Sequence, residues 1–327
     1  MDDKDFKFWI LLQLVIITIG IVVWSLSIVF RALYIDNSLV QTVFEAITFL
    51  GNEIVFIVII AIIYIVYDKR YAKNLTLLLL TTTYINSFLK DIFQDPRPGV
   101  GEIEEESYGF PSGHSQGSAS FYGFIGYEFR EKVKPNIIPI MLSVLILLIA
   151  FSRVIIAVHD FQDIGAGLIF GISIMLAFIY LEPIATEKVK SLQPKIVILI
   201  GIIVSVVIFL FGTLLFPTSG KQLTENPIPF SDTGAYAQIG GILLGLSIGY
   251  VLENMYINYE PARVEIKYKI LNLVIGLIIL FVAYFGLELL KDIFNSVIYR
   301  YIRYALIAFI LVFVVPWIFT KINPKKV

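Results

Sequence analysis

The chain has 327 residues, of which 58% are hydrophobic and 16% are charged, and its mean hydropathy is +0.85. Soluble domains are about half apolar and about a quarter charged, so this composition excludes an ordinary water-soluble protein and indicates an integral membrane protein. A formal net charge of −1 gives no basis for nucleic-acid binding, and the lack of cysteine excludes disulfides, thiolate metal sites and a cysteine nucleophile.

Apolar segments long enough to cross roughly 30 Å of hydrocarbon recur along the whole length. The sequence therefore predicts an all-α, polytopic transmembrane helical bundle with about ten spans, whose boundaries are uncertain by roughly 2–4 residues. The first predicted span is expected to stay in the mature protein, because it is too long for a signal-peptide core. The fourth predicted span is short and serine-rich, and it is expected to lie sheltered inside the bundle. The predicted spans are 8–30, 43–66, 75–94, 115–129, 137–157, 161–181, 195–216, 236–254, 269–289 and 302–320.

Basic residues cluster in alternate loops and after the last span, and this predicts a cytoplasmic location for both chain ends. Three cations conflict with that orientation, because Lys291, Arg300 and Arg303 fall on the predicted outer side. Either residues 290–303 form an interfacial amphipathic helix or the last pair of spans is misplaced. The residues on the predicted inner side are Lys69, Arg70, Lys73, Arg130, Lys132, Lys134, Lys188, Lys190, Lys195, Arg263, Lys267, Lys269, Lys321, Lys325 and Lys326.

The first polar cluster runs from Lys90 to Pro98, at the outer end of the third predicted span. Arg97 follows Lys90 after about two helical turns, and the prolines on both sides of Arg97 fix its backbone. A lysine and an arginine that converge on one point bind a phosphoryl group, the arginine through its planar fork and the lysine as a point charge. The alternative is that both side chains snorkel to the membrane interface.

The second cluster runs from Tyr108 to His114 and contains the sequence Pro-Ser-Gly-His just before a helical pattern over 115–129. Ser112 and Gly113 are small and leave backbone N–H groups open at a helix N-terminus, which is a ready site for an anion. A histidine at this place can donate a proton to the bound anion. The alternative is a turn that only caps the helix.

The third cluster runs from Ser152 to Asp163, between the fifth and sixth predicted spans. Arg153 lies within the end of an apolar run, where a charge is costly and needs a partner. His159 and Asp163 are one helical turn apart and share a face, so Asp163 can fix the imidazole tautomer and leave the other nitrogen as a nucleophile. The alternative is a capped helix start with a local His–Asp pair.

Both histidines of the chain fall in these clusters, on the same predicted face of the membrane. Three basic residues, two histidines and an orienting carboxylate form a set that is suited to phosphoryl transfer. With these residues the sequence resembles the type 2 phosphatidic acid phosphatase superfamily, which includes lipid phosphate phosphatases, polyprenyl diphosphate phosphatases, sphingosine-phosphate phosphatases and glucose-6-phosphatase, with vanadium haloperoxidases as soluble relatives. The three-part signature matches at every position over about residues 40–182: Lys90, Arg97 and Pro98; Pro111, Ser112, Gly113 and His114; and Ser152, Arg153, His159 and Asp163.

The resemblance implies a role for each matched residue. His159 is expected to be the nucleophile that forms a phosphohistidine, oriented by Asp163, and His114 is expected to be the general acid. The phosphate-binding residues are expected to be Lys90, Arg97, Ser112, Gly113 and Arg153. The resemblance also implies that neither a cofactor nor a metal is required.

The chain is longer than the six-span core that is usual for the lipid-phosphate members of this superfamily. The sequence therefore predicts a phosphatase core with six helices over residues 1–190 and about four additional C-terminal helices over 191–327. The added helices are expected to wall a lipid groove, to form a homo-oligomer interface or to thicken the bundle, and their sequence does not choose among these.

The expected function is hydrolysis of a lipid phosphomonoester or diphosphate by a multi-pass protein of the cell membrane, with an extracytoplasmic active site. The candidate substrates are phosphatidic acid, phosphatidylglycerophosphate, a polyprenyl diphosphate and a sphingoid phosphate. The other partners considered are membrane lipids and a further copy of the chain in a homo-oligomer, and nucleic acid is not expected. Two alternatives use the same site, namely a phosphotransferase with an acceptor other than water and a sugar phosphatase similar to glucose-6-phosphatase. A transporter is disfavoured, because the charges lie at one face and the sequence shows no inverted repeat.

Two further expectations concern charge. A run of carboxylates at Glu102, Glu104, Glu105 and Glu106 is read as a solvated loop rather than a metal site. The rate is expected to depend on pH as a bell-shaped curve, because the attacking His159 must be neutral while His114 must carry a proton.

Overall fold

A computed structural model describes residues 3–27, 33–99, 107–132, 136–215, 234–291, 293–294 and 296–323. Within these ranges the chain is helical, and its only β-type pairing is an isolated antiparallel bridge between Tyr34 and Ile156. The all-α prediction is therefore confirmed. The helices are α1 (Asp3–Leu26), α2 (Ser38–Phe49), α3 (Glu53–Ile62, continued by a π-helical turn over Ile63–Tyr67), α4 (Lys69–Phe93), α5 (Gly113–Phe129), α6 (Ile137–Ile155), α7 (Phe161–Lys190), α8 (Pro194–Leu215), α9 (Ala235–Tyr256), α10 (Ile266–Glu288) and α11 (Val297–Ile322, with a π-helical turn over Ile310–Val314).

Seven of the described helices, α1 and α6 to α11, are long and apolar enough to cross a membrane. Helices α2 and α3 meet at a bend of 44° and count as an eighth crossing if they form one broken span. The predicted count of about ten is therefore not confirmed, and the difference lies in α4 and α5. Polar side chains lower the hydropathy of α4, and α5 has only 17 residues, many of them glycine and serine.

The interfacial helix proposed over residues 290–303 is wrong for the part of that stretch which the structure describes. Helix α10 ends at Glu288, and Arg300 and Arg303 lie on the first two turns of α11. Arg300 donates to Gln238 at 3.0 Å, and Arg303 forms an ion pair with Glu288. Protein groups therefore satisfy these two cations, so they do not require an interfacial helix.

The described residues divide into two compact units. The first unit comprises the described parts of 1–56 and 81–181, and the second comprises those of 57–80, 182–218 and 231–327. In the first unit α1, α2 and α5 all pack against α6. In the second unit α9 packs between α8 and α11. The domain boundary predicted near residue 190 stays a prediction.

Glycines on α7 determine how closely its neighbours approach. A Cβ atom at Gly167 would lie 2.8 Å from both the Ser112 carbonyl oxygen and Ser115 Cβ, and one at Gly165 would lie 2.9 Å from the Trp24 backbone nitrogen. Small residues let helices approach backbone to backbone, so α5 and α1 fit directly against α7. Helix α5 is buried along most of its length, in agreement with the sequence expectation.

Candidate active site

The three polar clusters meet at one end of four successive helices of the first unit. Lys90 is on the last turn of α4, His114 on the first turn of α5, Arg153 on the last turn of α6 and Asp163 on the first turn of α7. His159 lies in the short turn between α6 and α7. Because successive antiparallel helices alternate in direction, these four ends lie on the same side.

The turn before His159 is a helix C-cap with an unusual residue. Helix α6 ends at Ile155, and Ala157 has a left-handed backbone with φ of 59°. The Ala157 N–H donates to the Val154 carbonyl at 3.0 Å and the Val158 N–H donates to the Arg153 carbonyl at 3.1 Å, which is the Schellman pattern. Glycine usually occupies the left-handed position, and an alanine there costs about 1–2 kcal/mol. The surrounding contacts must offset this cost, and the result is a fixed exit direction for His159.

His159 is buried and has a defined partner on each ring nitrogen. Its Nδ1 lies 2.9 Å from Asp163 Oδ2, and its Nε2 lies 3.1 Å from Arg97 Nη1. A carboxylate accepts and a guanidinium donates, so the consistent tautomer carries the proton on Nδ1 and a lone pair on Nε2. Asp163 is fixed in turn by a reciprocal pair with Asp160, in which each side chain accepts from the other backbone N–H, at 2.9 and 3.2 Å.

Three hydrogen-bond acceptors from two other segments of the chain hold Arg97 in place. Its Nε donates to the Ser107 carbonyl at 2.6 Å, its Nη2 to Ser107 Oγ at 2.9 Å and its Nη1 to the Val158 carbonyl at 2.7 Å. These acceptors orient the planar fork so that one edge faces His159. The geometry is that of a cation held beside the His159 imidazole rather than of a side chain that snorkels to an interface.

Lys90 is buried at the end of α4, and its ammonium group donates to two successive backbone carbonyls, those of Tyr108 and Gly109. The same segment is fixed by the Gly109 N–H, which donates to the Asp95 carbonyl at 2.8 Å. These bonds place the ammonium group of Lys90 next to the Pro-Ser-Gly-His segment.

Ser112 is the N-cap of α5 and is fully buried. Its Oγ accepts from the Ser115 N–H at 3.4 Å and from the Ser115 hydroxyl at 3.1 Å, so its own hydroxyl hydrogen can still be donated. The Ser112 N–H donates to the Asp163 carbonyl at 3.0 Å. This bond joins the first turn of α5 directly to the first turn of α7 and brings the second and third clusters together.

The positive charges of the site act on His159. Burial is the main cause that holds the pKa of His159 well below its usual value of 6.5. The nearby charges of Arg97, Lys90 and Arg153 lower the pKa of His159 further, and His114 adds to the effect. An imidazole in this environment is neutral at neutral pH, which is the form that a nucleophile needs.

Two predicted site residues have partners that the sequence did not indicate. His114 Nε2 lies 2.7 Å from Asn52 Oδ1, and Arg153 Nη1 donates to Thr48 Oγ1 at 3.0 Å. Asn52 and Thr48 flank the bend between α2 and α3. Neither residue belongs to a recognisable motif, and the only available signal was an asparagine after a glycine between two apolar runs.

Other missed residues support the backbone of the site. Asn86 Nδ2 donates to the Pro111 carbonyl at 3.1 Å and to Gln116 Oε1 at 2.9 Å. The Gln116 amide in turn donates to the Thr82 carbonyl at 3.1 Å. These bonds fix the Pro-Ser-Gly-His segment from the side of α4.

Among the residues that the structure describes, no group of three or more histidine, cysteine or carboxylate side chains is placed to hold a metal ion. The four glutamates between residues 102 and 106 lie outside the described residues.

Comparison with known proteins identifies the class. Residues 71–187 match the family model of the PAP2 superfamily, and residues 237–326 match the model of the PAP2 superfamily phosphatase transmembrane extension. The chain belongs to the type 2 phosphatidic acid phosphatase superfamily and is a multi-pass membrane phosphatase. Its C-terminal helices, to which the sequence assigned no role, coincide with an extension that is described for this superfamily.

Several curated proteins resemble the chain at low identity. Sphingosine-1-phosphate phosphatase 1 of Rattus norvegicus is 26% identical over 306 residues, which cover 84% of this chain and 71% of that protein. Phosphatidylglycerophosphatase B of Bacillus subtilis (strain 168) is 29% identical over 201 residues, which cover 58% of this chain and 97% of that protein. A crystal structure of the PAP2 type phosphatidylglycerolphosphate phosphatase from Bacillus subtilis covers 58% of this chain and 98% of its own, with 22% identity and a TM-score of 0.41.

Proposed function

We propose that the protein hydrolyses a lipid phosphomonoester or diphosphate through a phosphohistidine on His159. The observation that carries this proposal is the pair of contacts of the buried imidazole, with Nδ1 at 2.9 Å from Asp163 and Nε2 at 3.1 Å from Arg97. A neutral imidazole with its lone pair directed at a fixed cation is a nucleophile aimed at the place where a phosphate anion would bind.

The reaction has two displacement steps. In the first, the His159 Nε2 lone pair forms a bond to phosphorus, the bond from phosphorus to the leaving oxygen breaks, and His114 gives a proton to that oxygen. In the second, water attacks the phosphohistidine, the P–N bond breaks, and a water proton passes to His114, so that inorganic phosphate leaves and both histidines are restored. Lys90, Arg97 and Arg153 neutralise the equatorial oxygens, and Ser112 and the Gly113 N–H donate hydrogen bonds to them.

Apolar surface next to these cations favours a lipid as the substrate. Phe93, one turn beyond Lys90, is 56% exposed, and its ring centroid lies 5.0 Å from that of Phe110, just before the Pro-Ser-Gly-His segment. Trp24 packs on the other side of Phe110, with ring centroids 6.0 Å apart. A hydrocarbon chain attached to a phosphate at Lys90 would meet this aromatic surface. The names of the relatives, which include a sphingosine-1-phosphate phosphatase and a phosphatidylglycerophosphatase, support the same substrate class.

The proposed site opens to the extracytoplasmic side of the cell membrane. Its residues lie at the ends of α4 and α6 and at the starts of α5 and α7, opposite the basic loops that the sequence places inside. Ten crossings result if α4 and α5 also traverse the bilayer. In the same proposal, residues 1–190 form the phosphatase core and residues 191–327 form the added helices, whose surfaces are available for a homo-oligomer interface.

The test is phosphate release by the detergent-purified protein in the presence of EDTA. The substrate panel is phosphatidic acid, phosphatidylglycerophosphate, a polyprenyl diphosphate, a sphingoid phosphate and glucose 6-phosphate, and His159→Ala is the control. We expect release from at least one lipid that survives EDTA and disappears in the variant. Release that EDTA abolishes contradicts metal independence, and release that His159→Ala retains contradicts the phosphohistidine.

The same assay separates the two alternatives that share the site. Turnover of glucose 6-phosphate but of no lipid would identify a sugar phosphatase. A phosphorylated alcohol that forms only when an alcohol is added, and that mass spectrometry detects, would identify a phosphotransferase.

A further inference from the structure

The bend between α2 and α3 touches two members of the site, although it lies outside every signature position. The bend comprises Leu50, Gly51 and Asn52 and turns the chain by 44°. A long apolar helix would normally cross without interruption, so a sharp bend has an identifiable local cause or use. Here the backbone and side chains of the bend contact α5 and α6 of the first unit.

Asn52 meets His114 directly, with Oδ1 at 2.7 Å from Nε2. The neighbouring Gly51 lies against the same edge of the ring, because a Cβ atom there would approach His114 Cδ2 to 2.9 Å. A side chain at position 51 would therefore push the imidazole away from Asn52. Both residues of the bend define the orientation of this ring.

The bend is itself anchored at both sides. The Leu50 carbonyl accepts from the Tyr122 hydroxyl of α5 at 2.7 Å, and Thr48 accepts from Arg153 of α6 at 3.0 Å. The Gly51 and Asn52 N–H groups donate to the carbonyls of Thr48 and Phe49, at 2.8 and 3.0 Å. The contact with His114 therefore belongs to a rigid turn rather than to a mobile side chain.

We propose that Asn52 is a positioning residue for the proton donor of the reaction. The Asn52 carbonyl oxygen can only accept, so it selects the His114 tautomer with hydrogen on Nε2 and leaves Nδ1 to deliver and recover the transferred proton. The acceptor also favours the protonated ring, because its partial negative charge stabilises an imidazolium more than a neutral imidazole. The inference rests on the proposed function, since it assigns a partner to the general acid of that reaction.

The other ionisable groups around His114 come from separate elements. His159, from the turn between α6 and α7, interacts with it electrostatically, and Arg153 reaches the same bend through Thr48. Glu53, the first residue of α3, follows Asn52 in the chain and is exposed. Asn52 contacts the ring itself, through the 2.7 Å hydrogen bond to Nε2.

The test compares two leaving groups. Asn52→Leu keeps the same number and branching of side-chain heavy atoms but has no acceptor, and Asn52→Asp keeps the acceptor oxygen. The substrates are an alkyl phosphate lipid, whose leaving alkoxide needs a proton, and a nitrophenyl phosphate with an alkyl tail, whose leaving group does not. We expect Asn52→Leu to lower kcat about 10- to 100-fold on the alkyl phosphate but less than about 3-fold on the aryl phosphate, because general acid catalysis is worth about 10²–10⁴-fold.

Two further readouts separate positioning from loss of structure. In Asn52→Leu the basic limb of the pH–rate profile should move to lower pH, and in Asn52→Asp it should move to higher pH, with much of the rate restored. In a His114→Gln background, Asn52→Leu should cost less than about 2-fold, because residues that act as a unit are not additive. Asn254→Leu, an exposed asparagine of α9, is the matched control and should behave as the wild type.

Equal losses on both substrates, or a full additional loss in the His114→Gln background, would overturn the role of Asn52 while leaving the proposed function intact. A wild-type protein whose turnover does not depend on His159 would overturn the proposed function and this inference together. Thermal unfolding of each purified variant distinguishes a misfolded protein from an inactive one.

Discussion

The two compact units each bury a cluster of charged side chains, and the clusters are built differently. In the second unit Lys69 and Glu253 are almost fully buried and form a direct ion pair at 2.9 Å. The remaining oxygen of Glu253 accepts from the Tyr259 N–H at 2.6 Å, so the carboxylate is satisfied on both sides. Opposite charges neutralise each other there, and the cluster has a structural use.

In the first unit, backbone carbonyls fix the position of two cations. Lys90 donates to two backbone carbonyls, and Arg97 donates to the carbonyls of Ser107 and Val158. These carbonyls place Lys90 beside the Pro-Ser-Gly-His segment and Arg97 beside His159. The comparison teaches that the surroundings of a buried cation, and not its burial alone, distinguish the proposed anion site from a structural ion pair.

The largest expected effect is that of His159→Ala. Removal of the nucleophile should lower kcat by at least about 10³-fold, since no other group can form the covalent intermediate. The midpoint of thermal unfolding should also fall, because Asp163 then stays buried without its hydrogen bond to His159, at a cost of about 1–3 kcal/mol. Phosphate release measured beside the unfolding curve checks both parts, and substantial residual turnover would contradict the assignment.

The next effect concerns the fork of Arg97. Arg97→Lys keeps the charge but cannot satisfy the three acceptors and face His159 at the same time, so kcat should fall about 10²–10³-fold. Arg70→Lys is the matched control, because the Arg70 side chain is exposed and its ion pair with Glu260 is long, at 3.9 Å. An Arg97→Lys variant as active as the control would show that a point charge is sufficient at this place.

Substitutions in the charged cluster of the second unit should lower the stability of the fold and leave kcat unchanged. Lys69→Met leaves Glu253 buried without its cation, which should destabilise the fold by about 3–5 kcal/mol. The double variant Lys69→Met with Glu253→Met should recover most of this loss, because both charges are then gone. Denaturation curves of the purified proteins test this, and kcat per folded molecule should stay close to that of the wild type. A loss of kcat without a loss of stability would mean that the second cluster also serves catalysis.

The pH dependence gives a smaller but direct test of the charge around His159. Because its pKa is held well below 6.5, the ring stays neutral as the pH falls through 6.5, and the acidic limb of kcat/KM should have its midpoint below that value. His159 is the only imidazole left in a His114→Gln variant, so its ¹⁵N chemical shift reports the titration without interference. A midpoint at or above 6.5 would contradict the proposed influence of burial and the surrounding cations.

The smallest effect is expected from the acidic run between residues 102 and 106. Replacement of Glu102, Glu104, Glu105 and Glu106 by glutamine should change kcat/KM by less than about 2-fold, because a solvated carboxylate run is screened by salt. Turnover at low and at physiological salt measures this. A large loss in the quadruple variant would show that these carboxylates take part in substrate binding.

Much of the candidate site was predictable because its residues lie in three short segments of the chain. Lys90 with Arg97, Ser112 with His114, and His159 with Asp163 are each close in the chain. Each pair alone left a structural alternative open, and the three together predicted phosphoryl transfer. The partners that orient them were not predictable. Asn52 and Thr48 come from a distant helix pair, and only the packing of α2 and α5 against α6 brings them to His114 and Arg153.

The sequence by itself determined the class of this protein. Its long apolar segments predict membrane helices, and its three polar clusters predict phosphoryl transfer. The tertiary structure alone decided how those helices bend and which groups meet. The packing of Gly51 against His114 and the ion pair of Arg303 with Glu288 both depend on contacts between different helices. Local patterns report what one segment prefers, whereas such contacts exist only after neighbouring helices have packed.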